Sequence, residues 1–151
     1  MLTNKEKTLI EDNLTAEYLC IRKYEQYAAM ASDPQIKQVF TDLASKEQQH
    51  ATTLENMLSQ NGSSSNSLFK SYNKPQGDLS DIQNSLGITD AQLLNDALST
   101  EKHVSSSYNT AVLESVDANI RKQLQHIQQE EQGHAETLFK EMQSKGWYNP
   151  S

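Results

Sequence analysis

Apolar side chains return along this chain at the period of a helix, and twice the period is interrupted in the same way. Ile36, Phe40, Leu43, Glu47, His50, Leu54 and Met57 are spaced 4, 3, 4, 3, 4 and 3 residues apart. Ile120, Leu124, Ile127, Glu131, His134 and Leu138 are spaced 4, 3, 4, 3 and 4. Positions so spaced share one face of an α-helix, the face that a helix bundle buries. Glu47-Gln48-Gln49-His50 and Glu131-Gln132-Gly133-His134 therefore set a carboxylate and an imidazole where Leu or Ile would be expected. Two further stripes each carry one lone Glu: Ile10, Leu14, Glu17, Ile21, Tyr24, Ala28, Ala31 and Leu94, Leu98, Glu101, Ser105, Tyr108, Val112.

Capping chemistry sets the ends of four long helices. Thr3 with Glu6, and Thr89 with Gln92, have the spacing of capping boxes. The first helix is expected from Thr3 to about Ala31, where Asp33-Pro34 makes a short turn and starts the second. The second should run to about Gln60 and stop at Asn61-Gly62. Another starts at Thr89, and after a second tight turn Asp117 caps the last, which Gly146 ends. Trp147 is placed to fold back on that last turn, though Trp147 and Tyr148 suit an exposed contact patch equally well.

Between the hairpins, residues 61–88 read differently. Gly62-Ser63-Ser64-Ser65-Asn66-Ser67 is a pliant opening, and Leu68, Phe69 and Tyr72 are candidates to pack on the bundle. Pro75-Gln76-Gly77 is a turn, and Leu79, Ile82 and Leu86 suggest one short helix before Gly87. A simple up-down connection needs only a few residues, whereas this segment is long enough to travel the length of a bundle. The fold class expected is all-α: a ferritin-like four-helix bundle with a long crossover, in one domain spanning 1–151. An insert in an ordinary up-down bundle is the alternative.

The step along the chain from the first Glu-x-x-His to the second, Glu47 to Glu131, recurs elsewhere. It also carries Glu17 to Glu101, Tyr24 to Tyr108, Asp33 to Asp117, Ile36 to Ile120 and Leu54 to Leu138. The chain is an internal duplication of a helical hairpin, 3–60 and 89–146. Glu17 and Glu47 stand equally far from the first turn, and Glu101 and Glu131 nearly so from the second. All four carboxylates and both imidazoles should thus converge at mid-bundle.

That inventory suits metal. Two divalent ions about 3.5–4 Å apart need bridging anions and terminal ligands. Glu47 and Glu131 are assigned as bridges, with Glu17 and Glu101 as terminal carboxylates and His50 and His134 as one imidazole each. Hard oxygen donors with a single imidazole per ion favour iron, with manganese or zinc as alternatives. A self-satisfied buried polar network is the competing reading. Tyr24 and Tyr108, two turns beyond Glu17 and Glu101, could hydrogen-bond a ligating carboxylate or simply fill the core. Cys20 reads as a small buried hydrophobe, His103 and His126 as surface residues, and Glu130 as pointing off the stripe. No catalytic residue is assigned.

Composition narrows the partners. Formal charge is −7, from 13 basic and 20 acidic residues, and there is no basic run. Neither nucleic acid nor an anionic membrane is expected as a partner. No apolar stretch is long enough to span a bilayer, and no hydrophobic signal core opens the chain. A single Cys excludes an internal disulfide and any Cys-x-x-Cys iron centre, and an intracellular setting is the default.

At every primary position the pattern Glu17, Glu47-x-x-His50, Glu101, Glu131-x-x-His134 resembles the di-iron carboxylate proteins of the bacterioferritin and rubrerythrin type. A closer resemblance, over roughly residues 90 to 148, is to the spore coat protein F-like family of endospore-forming bacteria. It is carried by Glu101-Lys102-His103, Tyr108-Asn109-Thr110-Ala111, Gln129-Glu130-Glu131-Gln132-Gly133-His134 and Lys145-Gly146-Trp147-Tyr148. The first resemblance implies oxidation of ferrous iron or reduction of dioxygen or peroxide, with an external electron donor because no rubredoxin-like segment is present. The second implies a coat protein, in the spore coat or the cytoplasm of the sporulating cell. Its partners would be other coat proteins or a second copy, and its site would be stabilising or empty. Cage-type iron storage is not expected.

Overall fold

A computed structural model describes residues 1–64 and 70–150. Its helices are α1 (Asn4–Met30), α2 (Pro34–Gln60), α3 (Ser80–Ser85), α4 (Asp90–Glu114) and α5 (Ala118–Ser144). The four long ones begin where the capping residues stand. Thr3 and Thr89 close reciprocal capping boxes with Glu6 and Gln92, and Asp33 and Asp117 accept from the first-turn backbone N–H groups of α2 and α5.

Polar contacts at the two ends of the bundle fix its topology. At one end the Leu2 N–H donates to Asn61 Oδ1 at 3.0 Å, joining the start of α1 to the end of α2. At the same end Glu6 Oε1 accepts from the Val116 and Asp117 N–H groups at 2.7 and 3.0 Å. At the opposite end Asp90, the first residue of α4, accepts from the Ser32 and Asp33 N–H groups, both at 2.9 Å. α4 therefore starts at the end opposite to where α2 finishes. α1 and α4 run antiparallel, α2 and α4 run parallel, and the connection between α2 and α4 travels the bundle as the long-crossover arrangement requires.

That path is visible along α1. Arg22 donates to the Ser71 carbonyl at 2.6 Å, and its guanidinium lies 4.7 Å from the Tyr72 ring centroid. Tyr72 donates to Glu25, Leu79 N–H to the Ala29 carbonyl at 2.7 Å, and Lys37 pairs with Asp78 at 3.3 Å. Leu68 and Phe69 lie outside the described residues, as do Ser65, Asn66 and Ser67. The short helix exists, but its apolar stripe does not pack: Ile82 and Leu86 are exposed, and the buried residue of α3 is Gln83. Gln83 accepts from Ser32 Oγ at 3.0 Å and donates to Asp90 Oδ1 at 2.7 Å. Polar bracing of the α1–α2 turn, not apolar burial, seats this helix.

The duplication extends to the braces. The step that carries Glu47 to Glu131 also carries Glu6 to Asp90 and Ser32 to Val116, and each of these carboxylates holds the turn of the opposite hairpin. At the far end of α5, Gly146 (φ +74°) donates to Gln143 and Trp147 N–H to the Met142 carbonyl at 2.9 Å, a Schellman closure. Of the two readings open for Trp147, the structure has the exposed one, and Tyr148 makes the apolar contact. Trp147 is 42% exposed, while Tyr148 packs edge-on against Phe139 at 4.8 Å.

Candidate metal centre

Each long helix contributes to a buried polar cluster because its stripe faces inward throughout. Ile10, Leu14 and Ile21 flank Glu17; Leu43 and Leu54 flank Glu47 and His50; Leu94 and Leu98 precede Glu101; Leu124, Ile127 and Leu138 surround Glu131 and His134. All of these apolar residues are buried. Glu17, Glu47, Glu101 and Glu131 have no exposed surface, and His50 and His134 have 2% and 7%. Four carboxylates removed from water need compensation, or they must hold protons.

The six side chains form two groups whose ligand atoms lie within 4.8 Å of one another. One contains Glu17, Glu47, His50 and Glu131; the other contains Glu47, Glu101, Glu131 and His134. His50 Nδ1 lies 2.8 Å from Glu131 Oε1, 3.5 Å from Glu47 Oε2 and 3.7 Å from Glu17 Oε1. His134 Nδ1 lies 2.8 Å from Glu47 Oε1, 3.4 Å from Glu131 Oε2 and 3.6 Å from Glu101 Oε1. Glu47 and Glu131 thus divide their two oxygens, one toward each imidazole, while Glu17 and Glu101 each face only one. The imidazole planes are stacked, with centroids 5.6 Å apart.

The tyrosines tie the halves together. The Tyr24 hydroxyl donates to Glu101 Oε1 at 2.5 Å, and the Tyr108 hydroxyl donates to Glu17 Oε1. Each phenol reaches the outer carboxylate of the other hairpin, so both are polar supports of the cluster as well as filling. Cys20 is buried and free; His103 and His126 are on the surface.

Titration reflects the crowding. Burial, with the charges of Glu47 and Glu131 beside it, drives Glu17 well above the carboxylate range. Burial also raises Glu47 and Glu101, each to about 8, against hydrogen bonds to His134 that pull them back. Glu131 is buried as well, but hydrogen bonds with Glu101, His134 and His50 outweigh that and hold it low. His134 loses hydration yet rises to about 12 through its bonds to Glu101, Glu131 and Glu47. Glu131 faces both imidazoles at mid-cluster, which favours its charged form, whereas burial favours the protonated forms of Glu17, Glu47 and Glu101.

The donor set fits a pair of divalent cations. Oε2 of Glu17, Glu47, Glu101 and Glu131 and Nε2 of His50 and His134 are buried without a hydrogen-bond partner. Buried acceptors are seldom left unmatched. Four carboxylates would balance two divalent charges, and three carboxylates with one imidazole at each position form a hard, iron- or manganese-like set.

Glu130 points off the buried stripe, as its position predicts, yet it approaches the site from outside: its Oε1 stands 3.7 Å from His50 Nε2 and 2.8 Å from His126 Nε2, in a groove between α2 and α5. The signal was its i,i+4 spacing from His126 next to a core Glu.

Comparison with known proteins shows what parts of the chain are similar to. Residues 89–151 match the Coat F domain. The Coat F match takes in α4 and α5, and with them Glu101, Glu131 and His134 but not the ligand set of the first hairpin. No curated protein matches the chain in sequence. Among solved structures, one is a protein of Bacillus halodurans C-125 provisionally described as a spore coat protein. It is 16% identical, with a TM-score of 0.89 over 99% of this chain and 93% of that one. Another is a conserved hypothetical protein of Mycobacterium tuberculosis, 16% identical, with a TM-score of 0.72 over 90% of this chain and 96% of that one. At these identities the likeness is one of fold.

Proposed function

We propose that this chain is a di-metal carboxylate protein of the ferritin-like kind that serves in the spore coat or the sporulating cell. It would hold two divalent cations, iron before manganese or zinc, and oxidise ferrous iron or reduce dioxygen or peroxide. The observation that carries this reading is the division of Glu47 and Glu131 between two imidazoles. Those two carboxylates are the members shared by both four-residue groups of candidate ligand atoms, as bridging anions between two cations must be.

Glu17, Glu47, His50 and Glu131 would hold one ion, and Glu47, Glu101, Glu131 and His134 the other. A redox-active pair, when bound, supplies electrons to an oxidant. Tyr24 and Tyr108 fix Glu101 and Glu17 by hydrogen bonds, and the surrounding Leu and Ile side chains keep water out. No helix among the described residues is long and apolar enough to cross a membrane. Coat proteins, a second copy of this chain and an external electron donor are the partners this reading implies.

The Coat F match and the coat-described structural likeness favour a second reading, a structural coat or interaction protein whose metal site is only stabilising or stays empty. Anaerobic loading with ferrous iron, metal counting, and exposure to dioxygen or peroxide separate the two. Two ions per chain and oxidation that Glu47→Gln abolishes support the redox reading. Two ions without turnover leave the structural one. A protein that takes up no metal refutes the redox reading and any stabilising role for metal, and leaves a structural protein with an empty site.

A further inference from the structure

The hairpin duplication makes the six-residue cluster nearly two-fold symmetric, and the break in that symmetry lies just outside it. Glu130 and Lys46, each one residue before a cluster Glu, are equivalent in the repeat, yet one is acidic and the other basic. Glu130 Oε1 stands 3.7 Å from Nε2 of His50, a buried nitrogen with no hydrogen-bond partner that lines the α2–α5 groove. Nε2 of His134 is equally buried and unpartnered, but among the described residues no carboxylate stands behind it; all its acidic neighbours face Nδ1. Glu130 is itself anchored, by His126 at 2.8 Å and Lys46 at 3.7 Å.

Both imidazoles present Nδ1 to the cluster, so Nε2–H is the atom left to orient each ring. A carboxylate on the far nitrogen of a ligating histidine fixes its tautomer and raises its basicity. The Glu130–His50 separation is too long for a direct hydrogen bond, but a bridging water or a small rotation of the partly exposed Glu130 closes the gap.

We propose that the two cation positions are unequal: Glu130 orients His50 and has no counterpart behind His134, so the Glu17/His50 position binds a divalent cation more tightly than the Glu101/His134 position. This rests on the di-metal reading above, and Glu130 acts as a positioning residue.

Mn²⁺ tests it, with binding followed by loss of the free-ion electron paramagnetic resonance signal. His134→Ala leaves the Glu17/His50 position and His50→Ala leaves the other. The His134→Ala protein should bind Mn²⁺ the more tightly. Adding Glu130→Gln should weaken that protein about 10–100-fold, the usual cost of losing such a support, and change the His50→Ala protein little. Circular dichroism confirms that each variant stays helical. Equal affinities in the two single-position proteins, or equal losses on adding Glu130→Gln, overturn the inequality and leave the di-metal reading standing. Failure of the wild type to bind either Mn²⁺ or, anaerobically, Fe²⁺ overturns both.

Discussion

Replacing Glu47 by Gln in the chelated, metal-free protein should stabilise it, by an amount that grows with pH. Glu47 is fully buried, and burial lifts its pKa from the ordinary 4.5 to about 8, with Glu131 and Glu101 adding repulsion. Between those values the folded state holds a proton that the unfolded chain has released. That contribution to stability is complete below pH 4.5 and falls as pH rises toward 8. At about 1.4 kcal/mol per unit, the cost has reached about 3 kcal/mol at pH 6.5. Gln keeps the shape and carries no such proton, but it weakens the 2.8 Å contact with His134, worth about 1 kcal/mol.

The net gain should therefore be absent or slightly negative at pH 4.5 and close to about 2 kcal/mol at pH 6.5, or about 4–8 °C in melting temperature for a chain of this size. Above pH 6.5 the comparison blurs. His134, raised from 6.5 to about 12, stabilises fully below 6.5 and less as pH rises, and Glu47 is one of the groups that raises it. Thermal melts followed by far-ultraviolet circular dichroism at pH 4.5, 5.5 and 6.5 provide the measurement. A melting difference that stays flat across that range, or a Glu47→Gln protein that is less stable at pH 6.5, refutes the claim that carboxylate crowding strains this core.

Three further outcomes are expected. Metal content per chain should fall for both positions in Glu47→Gln but for one in His50→Ala, because Glu47 faces both imidazoles; full occupancy in Glu47→Gln would remove its bridging role. Glu6→Ala should cost about 2–3 kcal/mol, or about 4–12 °C, by stranding the Thr3, Val116 and Asp117 N–H groups. Burial opposes the Glu6 charge, but those groups outweigh it and lower the pKa to about 2, so its contribution is full above pH 4.5 and fades toward pH 2; an unchanged acid melt would contradict this. Tyr108→Phe should leave Glu17 Oε1 without its hydroxyl donor and lower metal-free stability by about 1 kcal/mol, and a melt identical to wild type would show that phenol to be filling alone.

The helices, their caps, the crossover and the convergence of the six polar residues were legible because each rests on a local rule or on one period. Helical spacing assigns residues to a buried face, and equal distance from a tight turn assigns them to a level. Neither rule reaches segments whose seating is non-local. Ile82 and Leu86 have the spacing of a packed stripe, yet α3 sits on the bundle through Gln83, Ser32 and Asp90. Trp147 occupies a position that suits either the cover of a glycine cap or an exposed patch, and it is Tyr148 that packs on Phe139.

Glu130 and Glu6 show a second kind of blindness, and they share a cause. Matching residues of like type across the repeat finds ligands and overlooks pairs that differ. Glu6 and Asp90 differ in length and stand at different helix positions, the third and the first, yet they grip equivalent turns because the duplication conserves places in space. Glu130 and Lys46 differ in charge, and a search for likeness discards them. In a duplicated bundle the matched pairs describe what both halves must do together, here to surround a cluster of like charge. The mismatched pairs next to them are where one half can be made different from the other. Glu130 beside His50, with Lys46 at the equivalent position of the sequence repeat, is such a difference, and it lies within one side-chain length of the centre whose symmetry it breaks.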